Sequence, residues 1–177
     1  MQPRHPSLPD IWLISDARND SRLEETIDRL PKSSGLIYRH YHLQPAERRA
    51  RFDALALRAR ARGHILVLAG PPRQAREWGA DGAYGPASRI AHGPALLRLA
   101  TAHSLREIGQ ALRLRADAIL LSPVFPTRSH PGEKSLGQVR FRLMAGRARV
   151  PIIALGGMTS PRASNLGVKK WAAIDGI

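Results

Sequence analysis

Short apolar runs, each separated from the next by a stretch about as long as a helix, recur along almost the whole chain. They fall at residues 11–15, 35–39, 64–68, 83–84, 96–100, 118–121, 152–155 and 171–174. Most are near-continuously hydrophobic, as parallel strands covered on both faces are. Residues 21–30, 45–62, 73–78, 105–114, 138–148 and 161–166 between them read as helices. Alternation of this kind demands a parallel sheet with right-handed crossovers, either closed as a TIM-type (βα)8 barrel or open and doubly wound.

The chain has 177 residues, whereas such a barrel usually takes roughly 200 or more. Reduced helices are therefore expected near the fourth and seventh units, with no helix over 86–93 and none after the eighth run. No repeat, low-complexity tract or linker divides residues 1–177, so one domain is expected. Local signals agree with the pattern. Pro45 and Gly63 bracket the longest helix, with Phe52, Leu55 and Leu57 expected to face inward. Ser104 and Glu107 form a capping box ahead of the fifth. Asp81, inside a Gly-Ala-Asp-Gly turn, reads as structural.

Two strand ends carry the chemistry. The run at 118–121 breaks into Ser-Pro-Val-Phe-Pro-Thr, and the run at 152–155 breaks into Gly156-Gly157-Met158. Ligands bind at that end of α/β folds. Consecutive glycines let the backbone approach an anion, and Ser122, Thr127, Ser129 and His130 are donors suited to phosphate. Arg128 and Lys134 add charge nearby. Twenty-eight Lys and Arg against fourteen Asp and Glu give a net charge of +14, which draws nucleic acid, anionic membranes or phosphorylated small molecules. With only nine aromatic residues, the stacking platform for single-stranded nucleic acid is thin, so nucleic acid is not the expected partner. The absence of cysteine excludes disulfides, thiol catalysis and Cys-ligated metals. No apolar signal core opens the chain and no window reaches membrane-spanning length, so a cytoplasmic location without membrane association is expected.

Several motifs together resemble one family. The segments Thr101-Ala-His-Ser-Leu105, Ala116-Asp-Ala-Ile119 leading into Ser122-Pro-Val-Phe-Pro-Thr127, and 151–159 around Gly156-Gly157 are similar to the thiamine-phosphate synthase/TenI family of (βα)8 barrels. The resemblance runs from residue 10 to residue 177. It implies a transferase that joins an aminopyrimidine diphosphate to a thiazole phosphate with magnesium assisting diphosphate departure. It assigns Arg39 to the diphosphate cradle and Thr101 to a position usually held by Ser. It places Thr127 and Gly156-Gly157 at the thiazole phosphate.

The departures have their own pattern. The family's Asn-Asp pair after the third strand falls on Ala69-Gly70, and its acidic loop after the fourth falls on 85–89, without a carboxylate. Two family lysines fall on Tyr41 and His130, and Asp175 stands where the strand-eight turn should meet phosphate. Magnesium is thus implied by the resemblance while its expected ligands are missing. His103 lies where the family's metal-independent thiazole tautomerases keep a proton-transfer histidine. The expectation is a thiamine-biosynthetic enzyme of the synthase type. A thiazole tautomerase and a non-catalytic phosphate-ligand-binding barrel stay open as alternatives, and a homo-oligomer is possible.

Overall fold

The computed structural model describes residues 7–128, 132, 134–175 and 177. Eight parallel strands close into a barrel in chain order. They are β1 (Ile11–Ile14), β2 (Gly35–Tyr38), β3 (Ile65–Ala69), β4 (Gly82–Pro86), β5 (Leu97–Ala102), β6 (Ala118–Leu121), β7 (Ile152–Leu155) and β8 (Trp171–Ala173). Around them run α1 (Leu23–Arg29), α2 (Pro45–Ala61), α3 (Pro72–Trp78), α4 (Ala87–Ile90), α5 (Leu105–Arg113), α6 (Gly137–Ala145) and α7 (Ser160–Leu166). A 3-10 turn at Asp20–Arg22 precedes α1. The closed form, rather than the open sheet, is the one adopted, because β1 pairs with β8 as well as with β2.

Two expectations need correction. Residues 86–93 do hold a helix, the single turn α4. Pro86 and Gly93 (φ 120°) confine it, which is why no helical periodicity is visible there. The seventh helix, at seven residues, is reduced as expected relative to α2, α5 and α6, and α1 and α3 are equally short. Leu57 does not face inward, being 73% exposed. With 3.6 residues per turn, Phe52, Leu55, Ala56 and Ala59 occupy the covered face of α2, and Leu57 falls on the opposite side. Among the described residues, β8 is the last regular element.

Strand alternation divides the core into two layers. Trp12, Ile14, Ile37, Val67, Leu99, Leu120 and Ile153 fill the barrel. Leu13, Leu36, Tyr38, Leu66, Leu68, Ile119 and Leu121 face the helices. The floor is Trp12, fully buried, with its indole N–H donating to the Pro9 carbonyl at 3.0 Å. A Cβ on Gly35 would come within 2.1 Å of that ring, so the ring and the glycine are complementary. Asp81 is structural as expected: its carboxylate accepts the Leu66 N–H at 2.8 Å, and Asp117 does the same for Arg98 N–H at 2.8 Å. Each satisfies a donor at the lower end of the sheet. At the upper end, the buried Asn19 donates to the carbonyls of Ile14 (3.0 Å) and Ile174 (2.8 Å) and accepts Asp16 N–H at 2.8 Å. That one side chain staples the seam between the first and last strands.

Candidate active site

One step beyond the apolar filling, the same alternation turns Asp16, Arg39, Ser122 and Leu155 toward the C-terminal mouth. The mouth holds a cavity of about 490 Å³, within the range of small-ligand sites. Arg39, His103, Ser122, Thr127, Gly156 and Gly157 all line it, so six of the residues singled out in the sequence converge. Thr101 does not join them. It opens on a separate hollow of about 240 Å³ beside Pro86, Glu107 and Gln110, to which His103 is the shared wall. His130 lies outside the described residues.

The glycine turn is dictated by close packing. Gly156 has φ 98° and Gly157 φ 61°, the left-handed region that side-chain-bearing residues avoid. A Cβ on Gly156 would sit 2.6 Å from Pro123 Cα, and one on Gly157 would sit 2.6 Å from the Pro126 carbonyl. The loop after β6 is zipped to this turn by Val124 N–H to the Leu155 carbonyl (2.9 Å) and Phe125 N–H to the Gly156 carbonyl (3.0 Å). The two strand-end motifs, at 122–127 and 156–158, are therefore one structural unit.

Two arginines that the sequence reading missed complete the cavity. Thr159 caps α7, accepting Arg162 N–H at 3.4 Å. This puts Arg162 on the first turn, its guanidinium 4.9 Å above the Phe125 ring and donating to the Gly157 carbonyl. Arg18 reaches in from the loop after β1, pairing with Asp16 at 3.1 Å and with Asp175 at 3.8 Å. The available signal for Arg162 was an Arg three residues past a Thr cap, directly after a Gly-Gly turn. Nothing local marked Arg18. Among the described lining residues, Arg18, Arg39, Arg128 and Arg162 stand against a single carboxylate, Asp175. Asp175 does not leave an unbalanced negative charge, because Arg18 faces it. Asp16 sits between Arg18 and Arg39, the latter at 3.7 Å. Burial alone would raise its carboxyl, but hydrogen bonds from Arg18 and the charges of Arg18 and Arg39 hold it below the usual range.

His103 precedes α5, where the capping box forms with a shifted register. Ser104 Oγ accepts Glu107 N–H at 3.2 Å, while the Glu107 carboxylate accepts the N–H of His103 at 2.8 Å. The box therefore fixes the backbone of His103 itself. Its Nδ1 lies 2.9 Å from the Ser122 carbonyl and 3.3 Å from Ser122 Oγ. A carbonyl can only accept, so Nδ1 carries the hydrogen and Nε2 is the basic nitrogen.

The opposite rim has a different chemistry. At the ends of β3 and β4 stand Ala69, Gly70, Pro86, Ala87, Ser88 and Arg89, and none brings the carboxylate that a hard divalent cation favours. Among the described residues no group of three His, Cys, Asp or Glu is placed to hold a metal. Asp16 is engaged by two arginines. The residues present do not fit the magnesium site that the family resemblance implies.

The fold and site together define a closed (βα)8 barrel whose C-terminal mouth is cationic and built on the strand-seven glycine turn. A family model for thiamine monophosphate synthase matches residues 11–177. The chain belongs to that family. Over 59 residues, 33% of this chain and 32% of the relative, it is 39% identical to a candidate thiamine-phosphate synthase 2 of Aquifex aeolicus (strain VF5). Over 80 residues, 44% of this chain and 23% of the relative, it is 28% identical to the thiamine-phosphate synthase of Prochlorococcus marinus subsp. pastoris. The matched stretches thus span a third or less of those curated relatives. In fold, the chain is similar to thiamine phosphate pyrophosphorylase of Pyrococcus furiosus. The TM-score is 0.77 at 21% identity, covering 92% of this chain and 84% of the other. It is also similar to the Bacteroides thetaiotaomicron protein of the same name, with TM-score 0.59, 15% identity and coverage of 94% and 82%. No helix among the described residues is long and apolar enough to cross a membrane.

Proposed function

We propose that this chain serves thiamine biosynthesis by binding a thiazole phosphate at the β6–β8 side of its barrel mouth. The observation that carries the reading is the gathering of Arg18, Arg39, Arg128 and Arg162 around the Gly156-Gly157 turn and Thr127 in one cavity. Guanidinium groups and glycine-turn N–H groups recognise phosphate oxygens through short, charge-assisted hydrogen bonds. Coupling to an aminopyrimidine diphosphate, the synthase reaction of the family, would use Arg39 on the diphosphate. No step is routed through magnesium, whose ligands the opposite rim does not supply.

A second reading, thiazole tautomerisation, is favoured by the protonation pattern of His103. Nε2 accepts a proton from one carbon of the bound heterocycle and returns it to another position of the same molecule, with no net redox change. The Ser122 carbonyl steadies the transient imidazolium through Nδ1–H.

Isothermal titration with thiazole phosphate and with its dephosphorylated alcohol tests the binding, expecting affinity for the phosphate alone. Equal affinity for both would refute phosphate recognition. Turnover with both synthase substrates, measured with Mg²⁺ and with EDTA, separates the chemistries. Magnesium-dependent coupling supports the synthase, and EDTA-resistant isomerisation abolished by His103→Ala supports the tautomerase. Binding without either activity leaves a non-catalytic ligand barrel.

A further inference from the structure

Behind the mouth, on the outward side of β1 and β2, lies a buried polar chain that the cavity does not use. His40 has no exposed side-chain surface. Its Nε2 lies 2.8 Å from Asp20 Oδ1 and its Nδ1 lies 2.7 Å from Ser15 Oγ. Ser15, also fully buried, accepts the backbone N–H of Arg39 at 2.8 Å. The direction of the chain follows from valence. The Arg39 amide can only donate and the Asp20 carboxylate can only accept, so Nε2 carries the ring hydrogen. Nδ1 is then the acceptor for the Ser15 hydroxyl, and every donor has a partner.

The backbone shows what this chain holds. His40 has φ 40°, a conformation disfavoured for any residue with a Cβ. Its ring is kept there by the two hydrogen bonds and by stacking on Tyr38, with centroids 4.7 Å apart and planes 7° from parallel. The strand is thereby turned immediately after Arg39, whose carbonyl accepts Arg48 Nε at 2.8 Å. Both faces of the Arg39 peptide segment are gripped, and the guanidinium is left facing Asp16 and the cavity.

The geometry points to His40 as a positioning residue that, through Ser15, sets Arg39 at the mouth for anion binding. This rests on the reading that the mouth binds phosphate. The groups facing His40 are Asp20 from the 3-10 turn, Arg51 from α2, Ser15 from β1, and Tyr38, Arg39 and His42 around β2. Protonation of His40 would place a donor at Nδ1 against Ser15 and turn the serine hydrogen into a buried site with no acceptor. Ligand affinity therefore falls as His40 becomes protonated. Burial, the larger effect, outweighs Asp20 and keeps the ring more easily deprotonated than an exposed histidine.

The test combines imidazole ¹⁵N NMR on the ligand-free protein with titrations of inorganic phosphate and thiazole phosphate across pH. Expected are an Nε2–H tautomer and a roughly tenfold loss of affinity in Ser15→Ala and His40→Leu. His40→Gln keeps a donor and an acceptor but cannot titrate. It should retain affinity and lose the acid-side decline. An Nδ1–H tautomer would overturn the proposal, as would wild-type affinity in Ser15→Ala alongside weak binding in Arg39→Ala. Where His40→Leu does not fold, Ser15→Ala and His40→Gln decide. Should the wild type bind neither anion, the phosphate reading fails on its own. The Arg39 Nε–H resonance then settles the positioning role, supported if Ser15→Ala shifts it and overturned if it stays.

Discussion

The β6–β8 rim and the β3–β4 rim of the same barrel mouth differ sharply in chemistry. On the first, a tightly packed glycine turn is locked to the loop after β6 and bracketed by Arg162, Thr127 and Arg18. On the second, the corresponding strand ends are Ala69-Gly70 and Pro86-Ala87-Ser88-Arg89, which bring one arginine and no carboxylate. A barrel scaffold leaves its strand ends chemically independent, because the apolar filling beneath them fixes their positions regardless of what they carry. The two rims can therefore carry different chemistries on one unchanged barrel.

The comparison breaks hardest at Gly156. Gly156→Val should destabilise the fold by about 3 kcal/mol and abolish thiazole phosphate binding, because the added side chain collides with Pro123 in a backbone region it disfavours. Urea unfolding and calorimetry read the two effects. Next, Arg162→Ala should weaken thiazole phosphate by about 2 kcal/mol, the loss of one charge-assisted contact. Arg89→Ala on the other rim should change affinity less than about twofold, within ordinary surface effects. Equal losses at the two arginines would erase the proposed asymmetry.

Acid should weaken the fold by a smaller amount. Burial depresses the folded-state pKa of both His40 and His64 from the usual 6.5. The unfolded chain therefore binds more protons in that window. Their contribution is present above about pH 6.5 and is lost as pH falls through the folded values. Urea midpoints at pH 7.5 and 5.5 should differ accordingly, and a midpoint that rises on acidification would contradict the assignment. Smallest of all, Asp175→Asn should tighten thiazole phosphate by a few tenths of a kcal/mol by releasing Arg18 from an exposed pair. EDTA should leave that binding unchanged.

The alternation of apolar runs carried the barrel into view because parallel strands covered on both faces need no polar alternation, and their ends are punctuated by Gly and Pro. Local chemistry was legible wherever a residue type is forced. Gly156 and Gly157 answer to positive φ and close packing, and Ser104 with Glu107 answers to a helix start. What stayed hidden depends on distance in sequence. Arg18 matters through Asp175, and Asn19 matters because it meets Ile174 across the seam. His40 looks like an ordinary residue in a basic, aromatic stretch until Ser15 and Asp20 are folded against it. Thr101 was assigned by resemblance, and its strand carries it to the neighbouring hollow instead. Leu57 shows the limit of composition within a helix, where a shift of one or two positions moves a leucine from core to solvent.

The indole of Trp12 resting on Gly35 ties the two positions together, so that a substitution at one depends on the residue at the other. With the ring in place, any side chain at position 35 would overlap it by more than an atomic radius. Shrinking the tryptophan first opens a void in the barrel floor that costs roughly 3–5 kcal/mol. Changing either position first therefore costs a substantial part of the stability margin of a typical domain. Relatives that keep glycine at this place should keep a large ring opposite it.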